Sequence, residues 1–186
     1  MARTPSNMLP LGTKAAAFKL PDTVSGKTIS LESIRGKKAT VIMFICNHCP
    51  FVQLINPEIA AIAREYAPKG VAFAAISSND VEHYPQDAPE LMAENAAKQG
   101  FSFPYLYDET QEVAKAYDAA CTPDFYVFDA GLLLVYRGQL DGARPENGIP
   151  VTGKDLREAL DALLRGEAVS ETQKPSIGCG IKWKKQ

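Results

Sequence analysis

Two cysteines with two residues between them, Cys46 and Cys49, have the type and spacing most directly suited to chemistry. The intervening residues are Asn47 and His48. A C-x-x-C pair can close a disulfide within one helical turn, or it can supply two ligands of a metal site. The thiolate is the reactive form in both cases, and a protonated histidine nearby lowers the pKa of a thiol. The motif therefore predicts either a redox dithiol or a metal site.

The sequence on either side of the motif favours the redox alternative. Residues 39–45 form an unbroken apolar run rich in β-branched residues, which is typical of a strand buried on both faces. After Pro50, apolar residues recur at helical spacing. We expect Cys46 to lie at the helix N-terminus, where unpaired N–H groups and the helix dipole favour an anion. We therefore predict that Cys46 attacks, that Cys49 resolves, and that His48 lowers the pKa of Cys46 further.

The rest of the chain predicts an α/β protein with a mixed sheet flanked by helices. The expected strands and hairpins lie at 18–34, 71–76, 103–106 and 125–136. The expected helices lie at 50–67, 88–99, 110–117 and 152–164. A β-α-β order implies parallel strands joined by a right-handed crossover, and the late hairpin adds antiparallel strands. We expect one domain over residues 1–186, with its core over about 10–165 and a polar tail over 166–186.

Composition and charge argue against several classes of protein. The 186 residues are 46% hydrophobic and 23% charged, which is enough apolar material for one buried core. A net charge of −2 provides no basic surface for nucleic acid or anionic lipid. The sequence contains neither a membrane-spanning apolar run nor a recognisable secretory signal, and four cysteines are too few for a secreted disulfide scaffold. We therefore expect a cytoplasmic protein with no nucleic-acid or membrane partner.

A second motif, Thr122-Pro123, precedes the last predicted hairpin and completes a resemblance to a known fold. The order of strand, C-x-x-C, helix, strand and Thr-Pro before a hairpin resembles the thioredoxin-like fold. Three segments are similar to its redoxin branch: F-K-L-P-D-T at 18–23, F-S-F-P-Y-L-Y-D at 101–108 and Y-R-G at 136–138. That branch includes the peroxide-reducing component of alkyl hydroperoxide reductase, thiol-specific antioxidant and cytochrome-maturation thioredoxins. The resemblance covers about residues 10–165.

The resemblance implies a cis proline and a substrate site beside it. The residues alone favour a trans bond before Pro123, whereas the resemblance implies a cis bond that faces the C-x-x-C. It also implies that the backbone at Thr122 and Pro123 pairs with an extended substrate by strand addition. The expected site therefore consists of catalytic Cys46 and Cys49 and substrate-binding Asn47, His48, Thr122 and Pro123.

Other features of the sequence resemble peroxiredoxins. In those enzymes the peroxide-attacking cysteine precedes a proline, as Cys49 does here, but Cys46 replaces the threonine that positions the peroxide. Arg137 is a candidate for the arginine that such enzymes place near the site. Cys179 is similar to a C-terminal resolving cysteine followed by tryptophan, and Cys121, beside the Thr-Pro pair, is a candidate regulatory thiol.

We predict a thiol-disulfide oxidoreductase that acts on a disulfide in a protein or a small molecule and is restored by an external thiol donor. No cofactor is expected, because no G-x-G-x-x-G fingerprint follows a strand. No metal is expected, because one C-x-x-C supplies only two of the four ligands of a structural zinc site. Two alternatives stay open: a peroxiredoxin-like thiol peroxidase with antioxidant activity, and a non-enzymatic module that binds a metal or a partner.

Overall fold

The computed structural model describes residues 3–185 and contains ten strands and four α-helices in that range. The strands are β1 (Arg3–Pro5), β2 (Lys19–Pro21), β3 (Thr28–Ser30), β4 (Ala39–Phe44), β5 (Val71–Ser77), β6 (Tyr105–Tyr107), β7 (Cys121–Thr122), β8 (Asp124–Asp129), β9 (Leu134–Gly138) and β10 (Ile177–Gly180). The α-helices are α1 (Pro50–Tyr66), α2 (Pro89–Gln99), α3 (Glu112–Ala116) and α4 (Lys154–Leu164). Within the described range, no helix has the length and apolar character needed to cross a membrane.

The central sheet has five strands in the order β6-β5-β4-β8-β9. Strand β4 pairs parallel with β5 and antiparallel with β8, which confirms the predicted mixed sheet. All six residues of β4 are buried, as expected for a strand covered on both faces. Its side chains alternate between two apolar clusters, with Val41 and Met43 in one and Ile42 and Phe44 in the other.

Helix α1 packs one apolar face against the central sheet. It begins with Pro50 at its first position, where the fixed φ of proline suits a helix and the missing N–H is not needed. Ile55, Ile59 and Ile62 recur at helical spacing and are at most 3% exposed. Burying each of these side chains stabilises the fold by about 1.5–3 kcal/mol. This packing fixes the first turn of α1 near the end of β4, and the two motif cysteines lie between these two elements.

A second sheet of three strands, in the order β1-β10-β7, was not predicted. Residues 177–180, which were expected only as part of the C-terminal tail, form the middle strand of this sheet. Glycine is depleted in strands, and β10 reads Ile-Gly-Cys-Gly, so its sequence gives little indication of a strand. A Cβ at Gly178 would lie 1.9 Å from the carbonyl oxygen of Thr122, so the close approach of the two backbones requires glycine there.

Candidate functional site

Cys49 occupies the N-cap position of α1. The expectation that Cys46 lies at the helix N-terminus is wrong, because the helix begins only at Pro50 and Cys46 lies in the loop after β4. The carbonyl oxygen of Cys49 accepts hydrogen bonds from the backbone N–H groups of Val52 and Gln53, at 3.0 and 2.9 Å. The backbone N–H of Val52 and the dipole of α1 favour a negative charge on Cys49 rather than on Cys46.

Three cysteine side chains meet beside the Thr122–Pro123 peptide bond, which is cis. The Sγ of Cys49 lies 2.9 Å from the Sγ of Cys179 and 3.3 Å from the carbonyl oxygen of Thr122. The Sγ of Cys46 lies 3.5 Å from the Oγ1 of Thr122. Cys46, Cys49 and Cys179 are each at most 2% exposed. The structure thus adds Cys179 to the predicted pair.

The pKa of Cys49 is lowered, whereas the pKa values of Cys46 and Cys179 are raised. A hydrogen bond from Cys46, with others from Cys179 and the Val52 N–H, lowers the pKa of Cys49 to about 5 against the opposing effect of burial. The hydrogen bond to Cys49, burial and the negative charge of Asp87 raise the pKa of Cys46 well above its usual value. Burial and the hydrogen bond to Cys49 raise the pKa of Cys179 to about 12. The directions of these shifts favour a thiolate on Cys49, whereas the sequence led us to expect it on Cys46.

Asp87 organises the loop that carries the motif, although no pattern in the sequence pointed to it. Its fully buried carboxylate accepts hydrogen bonds from the backbone N–H of Asn47 at 2.8 Å and of His48 at 3.3 Å. It also contacts the His48 Nδ1 at 2.6 Å and accepts from the Asn79 side chain at 2.8 Å. Among the many acidic residues of the predicted loops, nothing in the sequence distinguishes Asp87, because its partners in the motif are about 40 residues away.

The side chains of Asn47 and His48 both contact the loop and strand beside the motif. Asn47 donates to the carbonyl oxygen of Gln86 at 3.0 Å and accepts from the hydroxyl of Tyr105 at 3.1 Å. The His48 ring stacks on the ring of Tyr84 with centroids 5.5 Å apart. These contacts give both residues a role in fixing the loop, whereas their predicted role in substrate binding stays a prediction.

Replacement of Asp87 by asparagine is expected to lower the pKa of His48. The hydrogen bond to Asp87 is the largest cause that raises this pKa, so His48 should lose its proton at lower pH in the variant. Because the chain contains two histidines, proton NMR can follow both rings through a pH titration.

Asp80→Asn is a matched control, because Asp80 contacts the Nδ1 of the other histidine, His83, at the same 2.6 Å. We expect the control to leave the titration of His48 unchanged. An Asp87→Asn variant in which His48 titrates as in the wild type would contradict the role assigned to Asp87.

The edge of Thr122 that was expected to receive a substrate strand is occupied by the chain itself. Strand β10 pairs antiparallel with β7, with Cys179 opposite Thr122 and Gly180 opposite Cys121. In the described structure, strand addition at this edge therefore requires displacement of β10. The sequence could not show this, because residues 122 and 179 are far apart in the chain and β10 has no strand signature.

The structure shows the surroundings of two further candidate auxiliary residues, Arg137 and Cys121. The guanidinium of Arg137 donates to the carbonyl oxygen of Leu9 and to the side-chain oxygen of Gln173, each at 2.8 Å. These bonds tie β9 to neighbouring segments, so the expected place of Arg137 beside the cysteines is not supported. Cys121 is buried, with its Sγ 3.9 Å from the carbonyl oxygen of Pro123, and burial raises its pKa.

One group of side chains at the site has the chemistry of a metal centre. Donor atoms of Cys46, His48 and Asp87 lie within 4.8 Å of one another. Thiolate, imidazole and carboxylate are all ligands of zinc. In the structure the carboxylate of Asp87 is already engaged by His48 and by the loop backbone, and the pKa of Cys46 is raised, so the group is arranged as a hydrogen-bond network.

Comparison with known proteins shows the family. A model of the AhpC/TSA family matches residues 11–137. A putative peroxiredoxin of Mycobacterium tuberculosis is 29% identical over 116 residues, which are 62% of this chain and 68% of that protein. The crystal structure of an uncharacterized conserved protein from Geobacillus kaustophilus has a TM-score of 0.98 and 61% identity, covering 100% of this chain and 98% of that one.

The fold also matches a more distant structure. A putative thiol:disulfide interchange protein, DsbE, from Chlorobium tepidum has a TM-score of 0.65 at 18% identity and covers 84% of this chain and 99% of that one. At this identity the likeness concerns the fold, an α/β thioredoxin-like arrangement with a mixed sheet flanked by helices. The chain therefore belongs to the AhpC/TSA family, the redoxin family of thiol oxidoreductases within the thioredoxin-like superfamily.

Proposed function

We propose that the protein is a thiol-disulfide oxidoreductase that cycles Cys46 and Cys49 between a dithiol and a disulfide, with Cys49 as the attacking thiolate. The observation that carries this proposal is the position of Cys49 at the N-cap of α1, with its pKa lowered to about 5. A thiol of this pKa is almost fully ionised at neutral pH. Its partner Cys46 keeps its proton, because the Cys46 pKa is raised well above the usual value.

The first step joins one half of the substrate to Cys49. The Cys49 thiolate attacks a substrate disulfide, forms a mixed disulfide with one half, and releases the other half as a thiolate that takes a proton from water. Cys49 supplies a weakly basic sulfur in this step, and a weakly basic sulfur is also a good leaving group when the disulfide is reduced again. The low pKa of Cys49 therefore serves both the oxidation of the protein and its later reduction.

The second step closes the disulfide within the motif. Cys46 attacks the Cys49 sulfur, its proton passes to the departing substrate thiolate, and a Cys46–Cys49 disulfide remains. In all, one substrate disulfide gains two electrons from the protein and two protons, one from water and one from Cys46, and the two protein sulfurs form a disulfide. An external dithiol of sufficiently low reduction potential then restores the protein by the same exchange in reverse.

A thiol peroxidase is the second candidate, favoured by the sequence Cys49-Pro50 at the helix N-terminus and by the peroxiredoxin name of a relative. In this reaction the Cys49 thiolate attacks the peroxide oxygen and becomes a sulfenic acid, and the peroxide leaves as an alcohol or water. Cys46 then condenses with the sulfenic acid, which forms the same disulfide and releases water. The two candidate functions therefore give the same protein disulfide and differ in the oxidant whose reduction the protein accelerates.

The oxidant preference of the reduced protein tests the proposal. We expect glutathione disulfide to oxidise the Cys46/Cys49 pair at least about tenfold faster than it oxidises a small reference thiol of the same pKa. Hydrogen peroxide is expected to react with the protein no faster than with the reference thiol. Stopped-flow mixing followed by acid quenching and alkylation measures both reactions. If the protein reacted faster than the reference thiol with hydrogen peroxide but not with glutathione disulfide, the result would favour the thiol peroxidase.

A further inference from the structure

Strand β10 occupies the edge of β7 at which the resemblance led us to expect an extended substrate. It pairs on one side with β7 and on the other with β1, where Arg3 lies opposite Cys179 and Thr4 opposite Gly178. Strand addition uses the backbone of a partner for affinity and places alternate side chains in fixed positions. Here the strand that is added belongs to the chain itself, and Cys179 is the residue that faces Thr122.

The placement of Cys179 is that of a substrate cysteine. Its Sγ lies 2.9 Å from the Sγ of Cys49, the sulfur with the lowered pKa. A disulfide needs its two sulfur atoms about 2.05 Å apart, so a small movement of two side chains brings Cys49 and Cys179 to bonding distance. The contact joins residues separated by 130 positions, so the pairing of β10 with β7 is what creates it.

The chain on both sides of β10 is anchored. Before the strand, the backbone N–H of Ser176 donates to the Oγ of Ser6 at 2.8 Å, and the Ser176 hydroxyl donates to the carbonyl oxygen of Pro123. After the strand, the backbone N–H of Lys182 donates to the Asn79 side chain at 2.9 Å, and the Gln111 side chain donates to the Lys182 carbonyl at 2.9 Å. These bonds hold β10 as a built part of the site.

We propose that β10 occupies the place of a substrate strand beside Thr122. Cys179 on this strand acts as a third redox thiol, and the pairing of β10 with β7 restricts the site to small disulfides. The inference rests on the proposed function and names its substrate class. Cys46 and Cys49 are at most 1% exposed, and β10 lies beside them through Cys179, so we expect a disulfide in a folded protein to reach them only when β10 leaves its place. A small disulfide needs only a local opening, because no strand has to pair with Thr122 for it to enter.

The reaction then passes through three thiols in sequence. The Cys49 thiolate attacks a small disulfide RSSR and forms a mixed disulfide with one RS group, while RS⁻ departs and takes a proton from water. Cys179 attacks the Cys49 sulfur, its proton passes to the second RS⁻, and a Cys49–Cys179 disulfide forms. Cys46 attacks the Cys49 sulfur in turn, its proton passes to Cys179, and the Cys46–Cys49 disulfide remains. One RSSR becomes two RSH, and two protein thiols become one disulfide.

The passage of the disulfide from Cys49 and Cys179 to Cys46 is a relay of three thiols. The Cys46→Ser variant tests this relay, because it removes the thiol that reacts last. After one equivalent of glutathione disulfide, rapid alkylation and peptide mass mapping should find a Cys49–Cys179 disulfide and two released glutathione molecules. The Cys46→Ser/Cys121→Ser variant is the control for the remaining buried thiol and should give the same link. The Cys46→Ser/Cys179→Ser variant should stop at glutathione bound to Cys49, with one glutathione released.

Two outcomes of this experiment overturn different claims. If Cys46→Ser itself stops at glutathione bound to Cys49, Cys179 is not a redox thiol, and the proposed exchange at Cys49 survives. If Cys49 acquires neither glutathione nor a link, the proposed function itself fails. The mapping therefore separates the failure of the relay from the failure of the enzyme.

The second experiment tests the restriction to small disulfides with insulin as the protein disulfide. We expect the wild type to be oxidised by glutathione disulfide at least about tenfold faster than by insulin at equal disulfide concentration. Gly178→Ala should loosen β10, because the added Cβ would meet the Thr122 carbonyl oxygen at 1.9 Å, and should raise the insulin rate about tenfold. A wild type that is oxidised by both at similar rates would overturn the proposal.

Gly142→Ala is the matched glycine control for this experiment. Its added Cβ would meet only the side chain of Ile149, at an ordinary 3.8 Å, and its φ needs no glycine. We expect its rates with both oxidants to equal those of the wild type. The glutathione rate of Gly178→Ala reports whether that variant keeps its fold, and an intact glutathione rate without any gain toward insulin would count against the role of β10 as a barrier.

Discussion

Replacement of Cys49 by serine is expected to abolish reaction with a small chromogenic disulfide, whereas Cys46→Ser keeps its first step. The lowered pKa of Cys49 marks it as the attacking sulfur, and Cys46, whose pKa is raised, acts only after the mixed disulfide has formed. We expect the rate of release of the first leaving thiolate to fall by roughly 10³-fold or more in Cys49→Ser. In Cys46→Ser it should stay within about tenfold of the wild type, because a serine hydroxyl still donates a hydrogen bond to Cys49. The absorbance of the released thiolate measures both.

The opposite pattern would restore the assignment that the sequence alone suggests. If Cys46→Ser released no thiolate and Cys49→Ser still released one, Cys46 would be the nucleophile. Cys121→Ser is the control for the loss of a buried thiol. Cys121 is fully buried, and its sulfur contacts the carbonyl oxygen of Pro123. Its rate is expected to match that of the wild type.

The second large effect is on the pH dependence of that first step. Because the pKa of Cys49 is lowered to about 5, the rate constant should rise as pH passes through about 5 and stay level at neutral pH. The hydrogen bond from Cys46 is the largest cause of this shift, so Cys46→Ala should raise the pKa of Cys49 toward the usual thiol value of about 8.5. The rate at pH 6 should then fall roughly tenfold or more, because the thiolate fraction falls.

Thiolate absorbance in the ultraviolet measures the same titration without turnover. The midpoint should move upward in Cys46→Ala, and a smaller upward movement is expected in Cys179→Ala, because Cys179 also donates to Cys49. A wild-type midpoint near 8.5, or a midpoint that Cys46→Ala leaves unchanged, would contradict the assigned hydrogen bonds.

The parts of the site that the sequence predicted correctly depend on local patterns. The buried strand at 39–44 and the amphipathic helix after Pro50 each show their own periodicity, and the C-x-x-C lies between them. The order of these elements also predicts the mixed sheet. The helix N-terminus was assigned three residues too early, although Pro50 carries a usable signal, since proline favours the first position of a helix and would make Cys49 the N-cap.

The parts of the site that the sequence could not place depend on contacts between distant segments. Cys179 comes to Cys49 only because a glycine-rich segment pairs with Thr122, and glycine-rich segments lack a strand signature. Asp87 becomes important only because the loop folds back onto the backbone of Asn47. Neither pairing leaves a pattern within a window of neighbouring residues, so the structure was needed to find both.

Disulfide mapping of the wild-type protein tests whether Cys46 and Cys49 form a redox couple. The reduced protein is treated with one equivalent of glutathione disulfide, allowed to consume it, alkylated and digested for mass spectrometry. We expect a dominant Cys46–Cys49 disulfide, two glutathione molecules released per chain, and return of both thiols on addition of dithiothreitol. A protein in which Cys46 and Cys49 are still thiols after the oxidant has been consumed would show that the two cysteines are not a redox couple.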